Sequence, residues 1–179
     1  MPYTIEEHQH RFAAWAASRA ASVKGYRFKV HQGVAILEAC GFNPAFSSVA
    51  HFPTPAAIDA THLQWRERVI AAATAQNLTF SHGVAAKLIN IYLKSRFVCA
   101  GSHEHERVKC LHPPIDRELL GGLADADFGT ERQRWRDYQI EGWSNFQSVT
   151  YQKVIDLIRE TLPAGDPLWK IEEYWKGHQ

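Results

Sequence analysis

The sequence predicts an all-α fold, one compact helical domain spanning residues 1–179 with no substantial sheet. Three observations predict it. Apolar residues recur at i, i+3 and i+4 through most of the chain, and no stretch keeps the two-residue alternation of a half-buried strand. Helix start and stop signals punctuate the chain at intervals suited to short helices. At 179 residues and 45% apolar composition, the chain is long enough and apolar enough for a single core, and it carries no internal repeat or linker-like tract.

Taken in order, Thr4-Ile5-Glu6-Glu7 reads as a capping box, and Phe12, Trp15, Ala16, Arg19 and Ala20 continue a helix to about Val23. A second helix is expected from Val30 to Cys40, stopped by Gly41. The stretch Phe42 to Pro53 is a loop rich in Ser, Asn and Pro. Thr54-Pro55 starts a third helix, which reaches about Ala75. A turn over Asn77 to Gly83 leads into a helix from Val84 to about Val98, followed by a polar connector from Cys99 to His112. Pro113-Pro114 opens a helix over Ile115 to Leu123. Asp125 to Gly142 is expected to be loop with one helical turn. Ser144 to Leu162 is a helix ended by Pro163-Ala164-Gly165, and Asp166-Pro167 starts a last amphipathic helix.

Composition limits the function classes. No apolar run reaches the roughly 18 residues of a membrane span, because Phe80 to Ala100 contains Lys87, Lys94 and Arg96. The N-terminus lacks a basic-then-apolar leader, and three cysteines do not make a disulfide framework, so a cytoplasmic chain is expected. The net charge of +1 is unevenly spread: residues 64–109 hold seven basic and three acidic side chains, residues 110–179 eight and twelve. Such polarity lets one face bind phosphate on a molecule that is near neutral overall.

The chemistry-bearing stretch is Gly83-Val84-Ala85-Ala86-Lys87, followed 29 residues after Lys87 by Pro114-Ile115-Asp116. A glycine turn at a helix start presents backbone N–H groups to an anion. Lys87 lies one helical turn further on, and Asp116 opens a later helix, so an amine and a carboxylate can face one cleft.

These residues resemble the paired signature of the helix-hairpin-helix DNA glycosylase superfamily, which includes endonuclease III and 8-oxoguanine glycosylase. The family's Gly-Val-Gly-x-Lys hairpin is matched by Gly83 to Lys87, and its Pro/Ala-Val-Asp by Pro114 to Asp116. The resemblance covers about residues 78–123. Ala85 stands at the second hairpin glycine, the Lys87-to-Asp116 separation is longer than usual, and the four-cysteine iron–sulfur loop is absent, so no cofactor is implied. The whole chain, from Arg11-Phe12-Ala13-Ala14-Trp15 to Trp169-Lys170-Ile171-Glu172-Glu173-Tyr174-Trp175, is also similar to short bacterial glycosylases of the anti-phage kind, which excise glucosylated hydroxymethylcytosine from phage DNA.

The resemblance implies base excision from double-stranded DNA by a monomer, with Asp116 as catalytic carboxylate and Lys87 as nucleophile. Lys87 serves as nucleophile only where burial lowers its pKa; otherwise it contacts phosphate or the leaving base. Gly83, Val84, Ala85, Lys94, Arg96 and Arg66 are the expected DNA contacts. Trp15, Phe42, Phe46 and Trp143 are the expected walls for a flipped base, although buried aromatics more often serve a core. Two alternatives stay open: a DNA-binding helix-hairpin-helix protein without catalysis, and an interaction protein whose Cys99, His103, His105 and Cys110 hold zinc. Their spacing matches no tight zinc knuckle, and no metal is the primary expectation.

Overall fold

Thr4 Oγ1 accepts the Glu7 N–H and opens α1 (Ile5–Ala21). In the computed structural model, which describes residues 2–177, α1 buries a stripe of small residues, Ala13, Ala14, Ala17, Ser18 and Ala21. Small side chains let a second helix approach closely, and the helix that does so is α4 (His82–Leu93). Ten of its twelve residues are buried, which makes α4 the central rod of the molecule.

The other elements pack around this pair. α2 (Val30–Ala39) lies against α1, with Gly33 where a Cβ would stand 2.2 Å from Ser18 Oγ. α3 (Ile58–Thr74) follows a loop with single turns at Val49–His51 and Pro55–Ala57, and covers α4 from another side. After α4 the chain continues as a wider π-type helix over Lys94–Ser102 and reaches the short α5 (Glu106–Lys109). Then come α6 (Arg117–Asp125), α7 (Arg132–Glu141) and α8 (Ser148–Thr161). A final 3₁₀ segment, Leu168–Tyr174, folds back onto α6, where Gly122 leaves room for the Tyr174 carbonyl. Buried apolar side chains from all eight α-helices join one cluster. Among the described residues there is no strand, only an isolated bridge between Val23 and Tyr26. No described helix is long and apolar enough to cross a membrane.

The all-α expectation therefore holds, with local corrections. The segment Asp125 to Gly142, expected to be mostly loop, contains the ten-residue α7. Only Trp135 of α7 is buried, so it lacks the apolar stripe by which a helix is read from sequence. The helix expected from Ile115 begins at Arg117, because Asp116 adopts an extended backbone and caps it. The helix expected from Val84 to Val98 starts at His82 and changes to π geometry at Lys94, which carries helical structure into the connector. The last segment is 3₁₀ rather than α.

Candidate active site

Asp116 is positioned by its backbone before its chemistry is considered. Its Oδ1 accepts the Leu119 N–H at 2.8 Å, the N-cap bond of α6. Pro113 and Pro114 restrict the backbone of the approach, and α4 anchors it: Asn90 donates from Nδ2 to the Pro113 carbonyl at 2.9 Å. Asn90 also bonds Tyr151 Oη and His62, a fully buried polar knot joining α3, α4 and α8. Three residues earlier on α4, Lys87 donates from Nζ to Asp116 Oδ2 at 2.8 Å. The Asn90 and Lys87 bonds thus clamp both sides of the turn that presents the carboxylate.

Oδ2 receives a second donor, the Trp175 indole N–H at 3.0 Å. Lys87 is 5% exposed and Asp116 19%, so the pair sits at the floor of a cleft. Desolvation pushes the Lys87 pKa down, opposed by the adjacent Asp116 charge and hydrogen bond. The amine also lies 5.6 Å from the centre of the Trp143 ring. The cleft, about 460 Å³, is lined by Lys87, Asp116, Trp143, Trp175, Ala16 and Ala20 among others. That volume falls in the roughly 300–1,000 Å³ range of small-molecule sites. On one wall Lys94 pairs with Glu172 and lies over Trp175. Burial raises the Glu172 pKa, an effect the Lys94 charge opposes.

Lys87, Asp116 and Trp143 thus come together as the sequence suggests, and most other expected site residues do not join them. The backbone donors expected for phosphate are engaged internally: Gly83 N–H bonds the Phe146 carbonyl, Val84 N–H the Ser81 hydroxyl, and Ala85 N–H the Ser81 carbonyl. Gly83 is there because a Cβ would stand 1.8 Å from the Trp143 carbonyl oxygen, which makes this turn a packing joint. Lys94 is paired with Glu172 inside the cleft. Arg96 is buried and donates to the carbonyls of Glu6, Pro44 and Phe46, tying down the N-terminal segment. Arg66 is 1% exposed and stacked on Tyr151, away from the Lys87–Asp116 cleft.

Of the expected base-pocket aromatics, Phe42 is core, packed on Phe46, Trp65 and Tyr92, and Phe46 belongs to the same aromatic cluster. Trp15 is 51% exposed on α1 and makes its ring contact with Phe12. Cys99, His103, His105 and Cys110 do not assemble a centre: among the described residues no group of three or more His, Cys, Asp or Glu is placed to hold a metal ion.

Three residues of the site escape a reading by motif: Asn90, Glu172 and Trp175. The aromatic and acidic ending of the chain was visible as a pattern, but nothing in it indicates that Trp175 returns to Asp116 across 59 positions. In comparisons with known proteins, no family model, no curated protein and no solved structure matches the chain.

Proposed function

We propose that the protein is a DNA glycosylase, which excises a modified base and leaves an abasic site. The observation that carries this reading is the Lys87–Asp116 pair on the floor of a cleft flanked by Trp143 and Trp175. Breaking an N-glycosidic bond builds positive charge on the sugar as the base departs. A carboxylate held at one position by Leu119 N–H and Trp175 N–H stabilises that charge without reorganising. Asp116 also orients a water and takes its proton as the water oxygen bonds to C1′, while the base leaves with the electron pair of the broken C1′–N bond. The indole faces of Trp143 and Trp175 suit a planar base turned out of the stack.

The buried amine supplies a second route. Lys87 in its neutral form attacks C1′ and displaces the base, which leaves with the electron pair of the C1′–N bond. The amine proton then passes to O4′ as the C1′–O4′ bond opens, giving a Schiff base with the opened sugar. Burial favours this neutral form; the Asp116 charge opposes it. The resemblance to short bacterial anti-phage enzymes identifies glucosylated hydroxymethylcytosine in phage DNA as the first substrate to try.

Purified protein is incubated with glucosylated phage DNA and with unmodified DNA, and abasic sites are counted with an aldehyde-reactive probe. Abasic sites form in the modified DNA alone, and Asp116→Asn abolishes them while DNA binding persists. Borohydride added during the reaction traps a covalent complex if Lys87 is the nucleophile, and Lys87→Gln removes it. No abasic sites in either DNA removes this substrate, and the same result across a panel of modified bases overturns the glycosylase reading.

A further inference from the structure

A second cleft, of about 610 Å³, lies between α3 and α8 and is lined by Asp59, Leu63, Arg66, Ser148, Lys153 and Asp156 among others. Two independent features meet there. The first is the N-terminus of the 14-residue α8, whose cap residue Gln147 makes no side-chain hydrogen bond to the first turn. Uncapped N–H groups and the helix dipole leave partial positive charge at that end.

The second feature is Arg66. Its Nε and Nη1 are buried with no hydrogen-bond partner among the described residues. Among the described residues its one specific contact is the face of Tyr151, 4.4 Å from the guanidinium carbon. Asp59 and Glu67 act on it only through space, and Asp59 is already committed: Arg159 holds both its oxygens at 2.7 Å and His112 a further bond at 2.8 Å. Arg159 also reaches Asp156 at 3.4 Å. Arg159 is thus shared between the two carboxylates of this wall and offsets one of their two charges, while among the described residues Arg66 and the exposed Lys153 pair with neither. A buried guanidinium without an acceptor is unfavourable, so a bound acceptor would relieve that cost.

We propose that this cleft is a phosphate-binding site, in which Arg66 and the first turn of α8 hold one phosphate group and Lys153 closes over it. A guanidinium, a helix N-terminus and an ammonium lining one cleft suit an anion with two or three terminal oxygens, two of which a guanidinium can bind at once. The group comes either from a free phosphate-bearing small molecule or from a DNA phosphodiester. The site lies outside the Lys87–Asp116 cleft, and its test requires no base excision.

Thermal unfolding of the full chain in inorganic phosphate, against sodium chloride of equal ionic strength, tests the proposal. Phosphate raises the wild-type Tm by about 3–6 °C once it is roughly tenfold above its dissociation constant. Arg66→Met unfolds at the wild-type Tm or above it in chloride and does not respond to phosphate. Should that variant fail to fold, Lys153→Glu on the exposed side of α8 serves instead, with phosphate affinity reduced about tenfold or more. A wild-type Tm no higher in phosphate than in chloride overturns the proposal, as does an undiminished response in both variants. An unmodified duplex lacking terminal phosphates then identifies the source. Duplex binding that phosphate displaces, and that both variants weaken, identifies the phosphodiester. Duplex binding indifferent to the variants identifies a free phosphate compound.

Discussion

Lys87 on α4 and Arg66 on α3 are both almost wholly buried, and their surroundings treat them in opposite ways. Lys87 meets Asp116 at 2.8 Å, and its burial penalty is set against a specific charge and hydrogen bond. Arg66 meets only an aromatic face, with two buried nitrogens unpartnered. Arg96, equally buried, shows a third arrangement, with backbone carbonyls as acceptors. Burying a cation is expensive whatever its position, so the acceptor reveals its role. Backbone acceptors indicate a structural tie. On the readings proposed above, a carboxylate acceptor at the floor of an open cleft belongs to a reacting pair, and a missing acceptor at a cleft leaves room for a ligand.

The largest test of this contrast removes the Lys87 acceptor. Asp116→Ala leaves an unpaired buried charge and lowers stability by about 3–5 kcal/mol at neutral pH, read by chemical denaturation. The pH dependence has a definite sign. Because the folded pKa of Lys87 lies below its ordinary value, the unfolded chain binds more protons between the two, and stability rises with pH through that window. Asp116→Asn removes the influences holding the pKa up, so the window extends to lower pH and the variant recovers stability relative to wild type as pH rises. Adding Lys87→Met abolishes this extra slope. An unchanged slope would mean that Lys87 is not the group responsible.

Next in size is Asn90→Ala, which strips acceptors and donors from Pro113, Tyr151 and His62 at once and costs about 2–3 kcal/mol. On the glycosylase reading abasic-site formation falls as well, because Asn90 holds the approach to Asp116, whereas a merely structural Asn90 would leave the rate per folded molecule unchanged. The smallest effect is expected for Trp175→Phe, which keeps an aromatic ring but deletes the indole N–H to Asp116. Stability drops by about 0.5–1.5 kcal/mol. On the glycosylase reading, the rate on modified DNA drops with it while DNA affinity holds.

Much of this architecture is legible in the residues. Helical periodicity, the Thr4 cap and the proline before Asp116 all act over one or two turns, and local physics decides them. Lys87 and Asp116 could be singled out because each stands at a helix start with a recognisable neighbour. Their neighbours misled where burial reverses a residue's meaning: Gly83, Val84 and Ala85 read as phosphate donors, yet their N–H groups are spent on Phe146 and Ser81. Arg66 and Arg96 read as surface charge, yet both face inward. α7 escaped notice because nearly all of it is polar and only Trp135 is buried.

By itself, then, the sequence determined the all-α class, most helix positions and the candidate amine–carboxylate pair. These depend on spacing along the chain and on side-chain type. Only the tertiary structure decided which cations have acceptors, that Trp175 reaches back to Asp116, and that an uncapped α8 and a buried guanidinium line one cleft. Each of these joins residues dozens of positions apart. The free energy of a buried charge depends on what stands within a few ångströms of it, a property of the packed molecule that no local pattern encodes.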